Sequence, residues 1–152
     1  MSTVTVAPTT DSTLIRKWAF NSGVMKVMEK SHIPIAPQEI EDGFCRLLHY
    51  AKFYVVLVDG VDHGVVIFNP QSPQIWRMHL CLGTQSHQTR IAVPMAIKAG
   101  TNPGDVVTVI FRSSHRAMCK LTDDLDFSPP TPVYLAWATE PWQQRFRLTN
   151  NG

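Results

Sequence analysis

The sequence has no Asp or Glu between Asp62 and Asp105. That gap removes the side chains most often used in pairs for acid–base chemistry from the middle of the chain. Cysteine is scarce and badly placed for cross-linking. Cys45, Cys81 and Cys119 are odd in number, widely spaced and form no CxxC, which excludes a disulfide framework and a cysteine zinc site. All three fall in apolar patterns and are expected to be buried thiols. The six histidines, His32, His49, His63, His79, His87 and His115, contain no HxH or HExxH grouping, so no metal is expected. Charged residues make up only 17% of the 152, and the net charge is +2. Neither value points to nucleic acid. No apolar run approaches the roughly 20 residues of a membrane span. The first residues, MSTVTVAPTTDST, lack a signal peptide's charged start and apolar middle, so a cytoplasmic protein is expected.

What is present is the ordinary 44% hydrophobic content of a globular protein, arranged with clear periods. Residues 1–10 read as a flexible arm or an edge strand, with VTV at 4–6. Asp11, Ser12 or Thr13 can cap a helix whose apolar positions are Leu14, Ile15, Trp18 and Ala19. The pattern resumes at Val24, Met25, Val27 and Met28 after Asn21-Ser22-Gly23, which suggests two short helices. His32–Pro37 is a loop, and a second amphipathic helix starts near Pro37 with Phe44, Leu47 and Leu48 on its apolar face. Phe53–Val58 and Val65–Phe68 are β-branched runs around an Asp59-Gly60 turn that closes at His63-Gly64. A turn at Asn69–Pro73 leads to a third strand, Ile75–Leu82. Its residues alternate, with Trp76, Met78 and Leu80 on one face and Arg77, His79 and Cys81 on the other.

Gly83–Thr89 is a polar loop. The apolar stretch Ile91–Ala99 reads as a buried helix ending at Gly100. Because Pro94 suits only a first helical turn, that helix is expected to begin near Gln88–Val93. Val106–Phe111 is a strand buried on both faces. Ser113 or Ser114 can cap a helix over His115–Leu125. Val133–Ala138 and Phe146–Leu148 are closing strands, joined by a loop that carries Trp142. No repeat or long linker divides the chain, so residues 1–152 form one α/β (α+β) domain.

The order of these elements resembles the GCN5-related N-acetyltransferase fold. The pieces that carry the resemblance are FYVVLV-DGVDH-GVVIF, the longer strand IWRMHLCL, the buried strand VVTVIF and the helix SHRAMCKLTDDLDF, within residues 11–148. The resemblance implies an acyl-CoA N-acyltransferase-like mixed, mainly antiparallel central sheet flanked by helices. It also implies an acetyl-CoA loop of the form Q/R-x-x-G-x-G/A, whose glycines let backbone N–H groups approach a pyrophosphate. This chain offers Gln85-Ser86-His87-Gln88-Thr89-Arg90. Gln85 fits the first position, but Gln88 and Arg90 replace the glycines. Their side chains are expected to block the close approach and, at positive φ, to add strain. Arg90 could still attract a phosphate as a charge.

Transferases of this fold often use a carboxylate on the central strands and a tyrosine in the following helix. Aligning Asp126-Phe127 with the family's glycine-phenylalanine pair puts Thr122 at that tyrosine and His115 at a usual asparagine. The candidates that remain are His79 as a base and Ser114 or His115 as a group polarising a thioester. Each has an ordinary structural alternative: His79 satisfied on one sheet face, and Ser114 as a helix cap.

SSHRAMCKLTDDLDF with the weak loop also resembles acetyltransferase-like small proteins of tailed-phage virion genes, and the whole chain is similar to head-assembly (DNA-transfer) proteins of short-tailed temperate phages. That resemblance implies an accessory role in head assembly, helping internal DNA-ejection proteins enter or remain in the particle; the missing loop glycines and the missing carboxylate on the central strands make a non-catalytic protein without a cofactor the expectation. Its partners would be proteins of the assembling phage in the host cytoplasm or virion, with self-association open. The alternative is an active acetyl-CoA-dependent N-acetyltransferase with a divergent loop. Arg90, Arg112, Arg116, Arg145 and Arg147 suggest a modest basic face, solvated or partner-binding.

Overall fold

The first strand begins at Val4, the start of the N-terminal VTV motif. The computed structural model describes residues 2–21, 36–136 and 138–149. The helical reading at Val24–Met28, His32 and Trp137 lies outside them. Among the described residues the elements are β1 (Val4–Pro8), α1 (Ser12–Asn21), α2 (Pro37–Tyr50), β2 (Lys52–Val58), β3 (Val61–Ser72), β4 (Ile75–Leu82), α3 (Ser86–Gly100), β5 (Val106–Arg112), α4 (Arg116–Asp124), β6 (Thr131–Val133) and β7 (Trp142–Leu148). The seven strands form one sheet in the order β1-β2-β3-β4-β5-β7-β6. All neighbours are antiparallel except β4 and β5. No helix among the described residues is long and apolar enough to cross a membrane.

Two cores lie on opposite faces of the sheet. On one, Tyr54, Val56, Val66, Phe68, Met78, Val107 and Val109 pack with Ala92, Val93, Ala96 and Ile97 of α3. On the other, Phe53, Val65, Ile67 and Cys81 pack with Ile15 and Ala19 of α1 and Ile40, Phe44 and Leu47 of α2. The period-two alternation of β2, β3 and β4 feeds both. Asp11 caps α1, its Oδ1 accepting from the N–H groups of Thr13 and Leu14 at 3.1 and 3.3 Å. β1 pairs with β2 of the same chain, so the N-terminal strand completes its own sheet.

Several boundaries differ from the sequence reading, each for a tertiary reason. The β2–β3 turn is only Asp59-Gly60, both at positive φ (52° and 81°), so β3 begins at Val61 rather than Val65. β3 also runs through Asn69–Ser72, where an irregularity between Pro70 and Ser72 accommodates the proline in the pairing with β4. Pro94 lies in the interior of α3, which starts at Ser86. A proline there costs about 3 kcal/mol, offset by the burial of Ala92, Val93, Ala96 and Ile97 around it. Gly100 is the last helical residue and Thr101 is the cap. Gly100 is needed for space, since a Cβ would lie 2.8 Å from the Phe68 ring and 3.0 Å from Tyr54. β6 is shorter and earlier than Val133–Ala138, and β7 starts at Trp142, which is therefore half-buried in a strand rather than in the joining loop. Of the three thiols only Cys81 is buried; Cys45 is exposed and Cys119 half-buried.

Candidate active site

The sheet is split near its middle. β4 and β5 pair over only three rungs, Ile75 with Val106, Trp76 with Val107 and Arg77 with Thr108. β4 then continues to Leu82 and β5 to Arg112 without pairing to each other. The opening therefore begins at Met78, well before the polar stretch that starts at Gly83. Beyond Arg77 one edge of each strand has no ladder partner, because β3 and β7 occupy only their outer edges. Backbone N–H and C=O groups facing such a cleft need partners, and an extended, amide-bearing ligand would supply them.

The cleft ends at the start of α3. There the first N–H groups of the helix lack intrahelical acceptors and favour an anion. Gln85 is the N-cap, and Gln85 and Gln88 form a capping box. The Gln85 N–H donates to Gln88 Oε1 at 3.0 Å, and the Gln88 side-chain amide donates to Ser2 Oγ at 3.4 Å. Gln88 is thus buried and folded back on the helix start. Neither Gln88 nor Arg90 has positive φ; both are helical, so the expected strain does not arise. Arg90 is not a free charge. Its guanidinium reaches Asp124 at 3.0 Å and also donates to the Ser86 carbonyl at 3.2 Å. What α3 leaves for an anion is chiefly the backbone of Ser86 and His87.

Gly83, just before α3, faces Trp18 of α1: a Cβ would lie 2.9 Å from the indole ring. Trp18 Nε1 donates to Asp62 at 2.8 Å and Lys17 Nζ lies 3.0 Å from the same carboxylate. These bonds, Trp18's first, hold Asp62 below the usual carboxylate range. Asp62 is occupied in anchoring α1 to β3.

His79 is the first residue of β4 beyond Arg77 on the face that carries α1 and α2. Burial, with the Arg77 charge adding to it, pushes its pKa down to about 4. The imidazole is therefore neutral at pH 7. On the other lip, between β5 and α4, His115 rather than Ser113 or Ser114 is the cap of α4. Its Nδ1 accepts from the Met118 N–H at 3.4 Å. That bond leaves the proton on Nε2. Ser114 is exposed and donates to Glu140 at 2.6 Å. Thr122 is fully buried, and its hydroxyl donates to the Met118 carbonyl at 2.8 Å, so it cannot act in a tyrosine's place. The structure joins Gln85 to Gln88, turns Arg90 away to α4, and leaves His79 on β4 and His115 at the start of α4, just after β5.

The basic face read from the sequence does not form as one patch. Arg145 is buried, bonded to Gln143 at 2.8 Å, paired with Asp123 and set 5.9 Å from the Phe111 ring centroid. Sequence reasoning missed Arg77. An arginine inside a strand that is otherwise apolar, within a stretch devoid of carboxylates, was the available signal.

No family model and no curated sequence matches the chain. Solved structures do. A ribosomal L7/L12 alpha-N-protein acetyltransferase in complex with coenzyme A is similar at 12% identity and a TM-score of 0.68, over 99% of this chain and 96% of that one. A spermidine N-acetyltransferase chimera from Vibrio cholerae and hSSAT matches at 9% identity and a TM-score of 0.67, over 95% of both chains. An aminoglycoside N(6')acetyltransferase of Legionella pneumophila matches at 10% identity and a TM-score of 0.66, over 95% of this chain and 91% of that one. The fold is that of the GCN5-related, acyl-CoA N-acyltransferase-like proteins: a mixed, mostly antiparallel seven-stranded sheet with flanking helices. At these identities the likeness concerns the fold alone.

Proposed function

We propose that this chain is an acyl-CoA-dependent N-acyltransferase for an amine, with its diphosphate contact reduced to the first amides of α3. The observation that carries this reading is the β4–β5 opening, whose unpaired edges run from Arg77 to the start of α3. Coenzyme A fits its chemistry: an amide-bearing arm for the strand edges and a diphosphate for the helix start. Gln88 narrows that fit, and Arg90 adds no free charge to it. When bound, acetyl-CoA supplies a thioester; the amine nitrogen–carbon bond forms as the carbon–sulfur bond breaks, one proton leaving nitrogen and one reaching sulfur.

The residues divide that proton traffic. His79 is a poor base for a free ammonium, since moving a proton from a pKa of about 10 to one near 4 is uphill by about 8 kcal/mol. It suits an amine that arrives neutral, taking the proton once nitrogen has added to the carbonyl and become acidic. His115 presents an Nε2–H from the opposite lip and can donate toward the departing sulfur.

A second reading is favoured by the Gln85–Gln88 capping box and the Arg90–Asp124 pair, which close the helix start by the chain's own groups. It is a non-catalytic protein of phage head assembly that binds proteins of the particle. Melting with and without millimolar acetyl-CoA separates the two. A ligand at 100 times its dissociation constant stabilises by about 2.7 kcal/mol, which for a domain of this size is a rise of roughly 5–11 °C. Such a rise is expected. An unchanged melting temperature together with co-purification of particle proteins would favour the second reading.

A further inference from the structure

Two rows of side chains cross β4, β5 and β7 on the face that carries α1 and α2. Ile75 lies opposite Val106, which lies opposite Leu148; Arg77 lies opposite Thr108, which lies opposite Phe146. Alternation sets these six away from Trp76, Met78, Val107 and Val109, which pack toward α3. Ile75, Phe146 and Leu148 are exposed by 38%, 52% and 56%. α1 and α2 build their core over β2, β3 and the Cys81 end of β4, and among the described residues no helix packs on this corner of the sheet.

Arg77 is the polar group set into that apolar corner. Its Nε is buried and has no hydrogen-bond partner. Among the described residues Arg77 enters none of the salt bridges, which use Arg16, Lys17, Arg90 and Arg145. Burial holds its pKa below the ordinary value. The sequence stretch around it, from Asp62 to Asp105, offers no local carboxylate. A desolvated donor left unpaired lowers stability, and such groups in native folds call for a reason. Thr108, its neighbour across the strand, already donates to the Trp76 carbonyl at 3.4 Å. Nε itself is shielded, and among the described residues no group bonds the terminal guanidinium nitrogens, which are left for an outside acceptor.

We infer that Arg77 is the anion contact of the acceptor site, and that the acceptor carries a carboxylate beside an apolar group, as a hydrophobic α-amino acid does. A guanidinium takes a carboxylate through parallel N–H···O bonds, while Ile75, Phe146 and Leu148 take the apolar side chain. Arg77 is also the last rung before the cleft opens, and His79 follows it on the same face. A carboxylate held there sets its adjacent amine at the mouth of the cleft. This inference rests on the acyl-transfer reading for its chemistry, but its binding step stands apart from coenzyme A.

The test is calorimetric titration with N-acetyl-L-phenylalanine and N-acetylphenethylamine, which share ring and amide and differ by the carboxylate. The wild-type protein is expected to bind the first at least tenfold more tightly. Arg77→Met fills similar space without charge; it is expected to erase the preference while melting at or above the wild-type temperature, because the unmet donor is gone. Equal affinity for the two probes, no binding of either, or a preference that survives in Arg77→Met would overturn the inference. A melting rise with acetyl-CoA but no carboxylate preference would leave acyl transfer standing and reject this acceptor class.

Discussion

Replacing Phe68 with alanine is expected to destabilise the fold by about 3–5 kcal/mol and to lower the melting temperature by roughly 6–20 °C. Phe68 is fully buried at the joint between β3 and the end of α3. Its ring meets Tyr54 edge-on, with centroids 5.8 Å apart, and lies against Gly100, where no Cβ would fit. The Tyr54 hydroxyl donates to the Ala99 carbonyl at 3.1 Å, so the ring pair also fastens the last turn of α3. Alanine would leave a cavity that this glycine cannot fill. Urea denaturation of Phe68→Ala and Phe68→Leu measures the effect, with leucine expected to lose much less. A loss under about 1 kcal/mol for alanine would mean that the ring does not bear on the α3 joint.

Acid should weaken the protein through His79. The folded pKa is about 4 against an ordinary 6.5, and each unit is worth about 1.4 kcal/mol. Between those values the unfolded chain binds a proton that the folded one refuses. The contribution of a neutral His79 is thus complete above pH 6.5 and is lost as pH falls toward 4. The expected loss between pH 7 and pH 4 is about 3 kcal/mol. Denaturation at both pH values, compared with His79→Gln, isolates this share, since the variant should show a drop smaller by that amount. Identical pH dependence in the two proteins would place the imidazole in water.

Much of the architecture was legible because hydrophobic period reports burial. The alternation in IWRMHLCL and the continuous run of Val106–Phe111 gave β4 and β5 with little error, and Asp59-Gly60 marked its turn. Boundaries failed where a distant partner decides. Pro94 argues for a helix start by local rules, yet a buried helix on both sides of it carries the chain through. Pro70 argues for a turn, yet β4 holds it in a strand. The candidate site was half legible. His79 and the Gln85–Arg90 segment stand out by residue type, and both border the cleft. That Arg90 answers Asp124, that Ser114 answers Glu140 and that Arg145 is buried depend on side chains far apart in sequence, which no spacing rule links. Arg77 was read as one member of an alternating face; its missing partner is visible only when every neighbour has been placed.

The three rungs between β4 and β5 have a mechanical consequence. The sheet is in effect two plates, β1–β4 and β5–β7–β6, hinged along Ile75–Arg77, with α3 packed on the first and one apolar cluster continuous across both. The angle between the plates is then set by the thickness of the apolar packing beneath the hinge, by Val93, Ala96, Ile97 and Val107. Trimming or enlarging one of those apolar side chains changes the gape of the cleft from beneath, while leaving its lining untouched.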